Sequence, residues 1–126
     1  MILVGRYMSP FVRRTAVAMR LYGIGYEHRE LSTADHADEI RAINPVGRVP
    51  ALELDDGEVL IDSGAIIDYL DEQASRDVSL IPREGRARRD VLKLTAIAHG
   101  MAEKGVASFY ERTRRPQDKV YPEWVD

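Results

Sequence analysis

Cysteine is absent from the 126 residues. That excludes a disulfide framework, a zinc–thiolate site and a cysteine nucleophile. Long apolar runs are absent as well, and nothing approaches the roughly 18 to 20 residues that span a bilayer. The opening MILVGRYMSP has no basic segment leading into a long apolar core, so no secretory signal is expected there. No phosphate-binding glycine loop, no metal-ligating cluster, no internal repeat and no low-complexity tract is visible. Metal, nucleotide and membrane functions therefore find no support, and the cytoplasm is the default location. What is present is 44% hydrophobic and 31% charged residues with a net charge of −3. This is the balance of a globular chain, long enough for one ordinary domain or a small domain and part of another.

The charge is unevenly spread. Residues 1–75 carry 7 basic and 13 acidic side chains, a balance of −6, whereas residues 76–126 carry 11 basic and 8 acidic ones, a balance of +3. A boundary near residue 75 follows, with 1–75 as a first domain, 76–84 as a linker and 85–126 as part of a second, helical domain. The basic stretch PREGRARRD (82–90) invites a nucleic-acid reading, but it is short and has no interleaved aromatics. A solvated helix face is its commoner meaning, and no nucleic-acid partner is expected.

Residues 1–6 read as a short buried strand. From Pro10 to Tyr22 the positions Val12, Thr15, Ala16, Met19 and Tyr22 follow a helical step, and Pro10 suits a first helical position. GIG (23–25) ends that helix. YEHREL (26–31) alternates as a strand, and HADEIRAI (36–43) is a short helix stopped by Asn44–Pro45. RVPALEL (48–54) and EVLI (58–61) are strands joined by the turn Asp55–Asp56–Gly57. Ser63 opens a helix with Ile66, Ile67 and Leu70 on one side. The order is βαβαββα, an α/β domain. A long helix follows, over about 85–113, with Val91, Leu94, Ala98, Met101, Ala102, Gly105 and Phe109 as its stripe. Pro116 and Pro122 are expected to break helix beyond it. Such a stripe cannot be buried by the helix alone.

Three stretches carry chemistry. In YMSPFVRR (7–14), Ser9 stands just before the helix. It serves either as a plain N-cap or as a donor to an anion drawn by the roughly half unit of positive charge at a helix N-terminus. In NPVGRVPALEL (44–54), Pro50 begins a strand, where proline cannot join the ladder. It is either a trans proline on an edge or a cis Val49–Pro50 bond that leaves the Val49 N–H and C=O free for an extended peptide ligand. In LIDSGAIIDYLDE (60–72), Asp62 and Ser63 either cap the next helix or grip a zwitterion. In the second case Asp62 faces an ammonium, and Ser63 with the helix N–H groups faces a carboxylate.

In order and spacing, SPFVRR, NPVGRVPAL and DSGAIIDYL resemble the N-terminal, thioredoxin-like domain of cytosolic glutathione transferases, and SLIP resembles that family's interdomain linker. The resemblance covers essentially residues 1–80 and continues into the long helix. It implies a thioredoxin-like fold followed by the start of an all-α domain, with glutathione as substrate and no metal. It implies that Ser9 hydrogen-bonds the glutathione sulfur and favours the thiolate. Val49 beside a cis Pro50 would pair with the cysteinyl part, and Asp62 and Ser63 would hold the γ-glutamyl end. Phe11 belongs to the same binding set, and Arg48, ahead of His36, is expected near the glycyl carboxylate. The partners implied are a small electrophile and, as a homodimer, a second copy.

The chain departs from the family pattern in several places. Asp62 stands where glutamate is common, and Tyr7 offers the hydroxyl used by tyrosine-type members, although Ser9 beside Pro10 is preferred. Position 9 is not cysteine, which argues against thiol–disulfide exchange. Members are also longer, so the chain is expected to be a fragment or a short paralogue whose electrophile pocket is incomplete. Two functions follow: a glutathione transferase, or a binding module that keeps the fold without turnover.

Overall fold

Leu3 and Val4 are neighbours in the chain, and both are buried, because successive strand residues face opposite sides of a sheet that is covered on both. The structure, a computed structural model, describes residues 1–125. The order is β1 (Ile2–Val4), α1 (Pro10–Leu21), β2 (Glu27–Arg29), α2 (Ala37–Ile43), β3 (Ala51–Glu53), β4 (Val59–Ile61) and α3 (Ser63–Gln73). The four strands form one mixed sheet in the order β2–β1–β3–β4. β1 and β2 are parallel across the α1 crossover, and β3 is antiparallel to both β1 and β4.

On one face Leu3 and Leu52 pack with Val12, Ala16 and Met19 of α1 and with Ile66 and Leu70 of α3. On the other, Val4 and Ala51 pack with Leu31 and with Ile40 of α2. Each large side chain taken fully out of water here contributes roughly 1.5–3 kcal/mol. A sheet of three-residue strands therefore depends on its helices more than on its own ladders.

Local signals set the ends of these elements. Ser9 caps α1 and Pro10 opens it. Beyond its end, the Gly23 N–H reaches the Arg20 carbonyl (3.1 Å) and the Ile24 N–H reaches that of Met19 (2.9 Å). That is a Schellman closure, with Gly23 at φ +71° and Ile24 folded onto the core.

The chain forms two compact units, and the first runs past the compositional step at residue 75 to Leu80. Asp71 explains the extension. Its carboxylate accepts from the Tyr22 hydroxyl (2.7 Å), the Ser79 hydroxyl (2.9 Å) and the Leu80 N–H (2.7 Å), tying the segment after α3 to the body of the unit. Burial, then the hydrogen bond to Asp71, pushes the Tyr22 hydroxyl well above the usual phenol range.

The second unit begins at Ile81 and consists of α4 (Gly85–Arg114), a 3₁₀ turn (Gln117–Lys119) and α5 (Pro122–Val125). None of the 30 residues of α4 is buried. Pro122 does not break helix as its residue type suggests. It occupies the first position of α5, where a missing N–H costs nothing. Among the described residues, no helix is long and apolar enough to cross a membrane.

Candidate functional site

The pairing register brings the three stretches to one end of the sheet. Val4, Ala51 and Ile61 lie side by side across β1, β3 and β4. The chain leaves β1 there toward Ser9, enters β3 there from Val49–Pro50, and leaves β4 there into Asp62–Ser63. α1 and α3 both start at this end and pack on the same face, so two helix N-termini with their unpaired N–H groups share the edge.

Ser9 has extended backbone (φ −67°, ψ 125°), and its Oγ accepts from the Val12 N–H at 3.4 Å, a long hydrogen bond. Capping uses a lone pair of the oxygen, so it does not exclude donation of the hydroxyl hydrogen to an anion. Phe11 is half-buried at the second position of α1.

The Val49–Pro50 peptide bond is cis. Neither the N–H nor the C=O of Val49 enters a backbone hydrogen bond among the described residues. The loop that carries Val49 is held by Asn44, which is 2% exposed. Its side chain donates to the Arg48 carbonyl (2.8 Å) and accepts from the Val46 N–H (3.0 Å). Arg48 itself is exposed, one residue before Val49.

Asp62 is the only non-glycine residue with positive φ among those described, at +70°. Its Oδ1 caps α3 by accepting from the Gly64 N–H at 2.7 Å. Ser63 follows, 1% exposed, and its Oγ is the one buried side-chain polar atom without a hydrogen-bond partner among the described residues. A buried hydroxyl left unpaired costs on the order of 1–3 kcal/mol. At a helix N-terminus such an atom suits an anionic ligand group.

Two sequence candidates are engaged elsewhere. The Nδ1 of His36 accepts from the Ser32 N–H at 3.2 Å, in the turn that precedes α2. The Tyr7 hydroxyl pairs with that of Tyr26 at 2.8 Å, and the Tyr7 ring lies flat on His28. The hydrogen bond to Tyr26, then burial, raises Tyr7 above its ordinary value.

Three further residues at this edge have no functional signature in the sequence beyond a local one. Gly5, at φ +124°, lies so close to Val12 and Val49 that a Cβ would meet them at 2.7 and 2.8 Å. Asn44 sets the Val49 loop. Arg14 lies near Asp62: burial lowers its guanidinium from the ordinary value, and the negative charge of Asp62 opposes that shift. Only the glycine left a hint, as the small residue closing an apolar run.

A mixed four-stranded sheet with α1 and α3 on one face, α2 on the other and a cis proline opening β3 defines a thioredoxin-like domain. The chain belongs to the glutathione S-transferase family: residues 3–78 match the family model "Glutathione S-transferase, N-terminal domain". It is 32% identical over 112 residues to the uncharacterized GST-like protein YibF of Escherichia coli K12, covering 89% of this chain and 55% of that one. It is 42% identical over 72 residues to the maleylacetoacetate isomerase of Pseudomonas aeruginosa, covering 53% of this chain and 34% of that one. A glutathione transferase family member from Pseudomonas fluorescens Pf-5, solved with bound glutathione, superposes with a TM-score of 0.88 at 36% identity. That match covers 99% of this chain and 62% of the other. The chain thus spans about half the length of the first curated relative.

Proposed function

We propose that the chain binds glutathione along this edge, stabilises its thiolate through Ser9 and conjugates it to small electrophiles. The observation that carries the reading is the buried, unpartnered Ser63 hydroxyl at the head of α3. The γ-glutamyl carboxylate takes its hydrogen, and Asp62 faces the γ-glutamyl ammonium with the carboxylate oxygen that does not cap the helix. The free N–H and C=O of Val49 pair with the cysteinyl backbone beside Pro50. That pairing sets the sulfur toward Ser9, with Phe11 alongside. Arg48 meets the glycyl carboxylate, a role that His36, with Nδ1 committed, fills less well.

The Ser9 hydroxyl donates to sulfur and the thiol proton leaves to water. The thiolate then forms a carbon–sulfur bond as the leaving group departs with its electron pair. Relatives of this chain include both transferases and isomerases. Addition to a double bond followed by departure of the same sulfur would give isomerisation with no glutathione consumed.

Calorimetric titration of glutathione onto wild type and Ser63→Ala tests the reading. Wild type is expected to bind. The variant is expected to lose about ten- to a hundredfold in affinity, the worth of one hydrogen bond to a charged group. In the free state it is expected to be more stable by about 1 kcal/mol, because an unpaired buried hydroxyl has gone. A wild type that does not bind glutathione overturns the reading.

That α4 buries none of its residues fully favours a second reading, a glutathione-binding module without turnover. Binding that is unaccompanied by conjugation of any electrophile in a panel would select it.

The same face supports a homodimer. Val91, Leu94, Ala98, Met101 and Gly105 recur at alternating three- and four-residue steps, and Leu94 and Met101 are 67% and 70% exposed. Small residues between large ones let a second copy of the helix approach closely. Sedimentation velocity is expected to show a dimer that Met101→Glu dissociates. A wild-type monomer at micromolar concentration would reject a second copy as the cover.

A further inference from the structure

We propose that His28, with Tyr7 stacked on it, is a positioning residue that sets the strand-to-helix loop presenting Ser9, and through that loop the ionisation of the bound thiol. The proposal rests on the glutathione reading above.

The Nε2 of His28 lies 2.7 Å from the Gly5 carbonyl oxygen. A carbonyl can only accept, so Nε2 carries the hydrogen and donates it. Gly5 directly follows β1. Its N–H is held by the Arg29 carbonyl at 2.9 Å, and its α-carbon is wedged against Val12 and Val49. The His28 bond therefore fixes the one peptide plane between the end of the sheet and the loop, and a turn of that plane moves everything up to Ser9.

Tyr7 closes the arrangement from above. Its ring stacks on the imidazole with centroids 4.0 Å apart and planes 18° from parallel. Its hydroxyl is anchored to Tyr26 at 2.8 Å. Glu30 faces the other ring nitrogen of His28 at 3.6 Å. Two residues later the Ser9 N–H is tied to the Arg6 carbonyl at 3.0 Å, and the Arg6 N–H to that of Leu31 at 3.2 Å. The loop is thus laced to β2 and the residues after it, and His28 supplies the only side-chain bond to its first carbonyl among the described residues. A hydroxyl donor displaced by about 1 Å from its target loses much of its effect.

The test combines two readouts on His28→Ala and His28→Gln. The first is amide hydrogen exchange of residues 6–9 and 12 in the free protein, and the second is ultraviolet titration of the thiol of bound glutathione. His28→Ala is expected to speed exchange in the loop about tenfold. It is expected to raise the bound thiol's pKa by about one unit while glutathione affinity stays within about threefold, because the γ-glutamyl and cysteinyl contacts lie on α3 and the β3 loop. His28→Gln, whose amide nitrogen reaches the same carbonyl, is expected to restore both, and Tyr7→Ala to move both in the alanine direction. Unchanged exchange and an unchanged thiol pKa in His28→Ala, with glutathione still bound, overturn the positioning role. Failure of His28→Gln to restore either readout overturns the hydrogen bond as its cause. A wild type that binds no glutathione overturns the earlier reading instead, and the exchange arm still decides whether His28 holds the loop.

Discussion

Replacing Gly5 by alanine is expected to destabilise the first unit by about 3 kcal/mol and to abolish glutathione binding. Two costs add. At φ +124° an L-side chain is strained, roughly 1–2 kcal/mol. The new methyl would also sit 2.7 Å from Val12 Cγ2 and 2.8 Å from Val49 Cβ, inside van der Waals contact. Val12 is fully buried in the core cluster beneath α1, so it cannot retreat. Overpacking of this kind costs about 1–3 kcal/mol. Val49 is only half-buried, and moving it displaces the backbone proposed to pair with the ligand. Binding should therefore fail even in the fraction that folds. For a domain of this size the loss corresponds to a fall in Tm on the order of 10–25 °C. Gly25→Ala is the control: nothing lies within 4 Å of its Cβ position and no left-handed φ is required. It should change stability by less than about 0.5 kcal/mol. Denaturant unfolding of the two variants decides the matter, and a Gly5→Ala loss below about 1 kcal/mol would show that the Val49 loop relaxes freely.

The contrast between these two glycines also marks what the sequence could reveal. Elements whose cause is local were legible: the Ser9–Pro10 helix start, the Gly23 stop, the Asp55–Gly57 hairpin turn, and the Asp62–Ser63 entry to α3. Each rests on a dihedral preference or a cap within a few residues. The candidate site residues picked out in this way, Ser9, Val49, Pro50, Asp62 and Ser63, share one property. They stand at element ends, where a hydroxyl, a proline or a carboxylate has a distinctive local meaning. Gly5 has none, because its requirement comes from two side chains that reach it only after α1 and β3 have packed. Asn44 reads as a helix stop, and only the folded loop shows its amide spanning from Val46 to Arg48. Tyr7 was legible as a hydroxyl near Ser9, yet its direction is set by Tyr26 and His28 across the sheet. The stop at residue 75 was compositional, whereas the extension to Leu80 depends on Asp71 receiving three donors from outside its own helix. Pairwise tertiary approach leaves little trace in a single chain read residue by residue.

Ser9→Ala is expected to carry the second large effect, about a ten- to twentyfold loss in kcat/KM at neutral pH with little change in glutathione affinity. On the proposed reading Ser9 keeps the bound glutathione sulfur in its thiolate form, and the loss on its removal is the fall in thiolate fraction. A free thiol titrates near about 8.5, and a charge-assisted hydrogen bond beside a helix N-terminus stabilises the ionised form by one to two units, about 1.4 kcal/mol each. The sign follows directly. A donor favours the deprotonated state, so on the proposed reading the bound thiol's pKa is expected below the free value, with activity present above that lowered pKa and lost as pH falls through it. Removing the hydroxyl moves this acid limb of the kcat/KM profile up by one to two units, and the deficit shrinks at alkaline pH, where the thiol ionises unaided. Part of the loss is structural, since Ser9 also caps α1: its Oγ accepts from the Val12 N–H, and losing a serine cap costs about 1 kcal/mol of stability. Ser9→Gly separates the two, because glycine costs only a few tenths as a cap yet removes the donor altogether. If the cap is all that Ser9 supplies, Ser9→Gly should keep a wild-type pH profile. If the hydroxyl serves the sulfur, glycine and alanine should share the displaced acid limb while differing in stability.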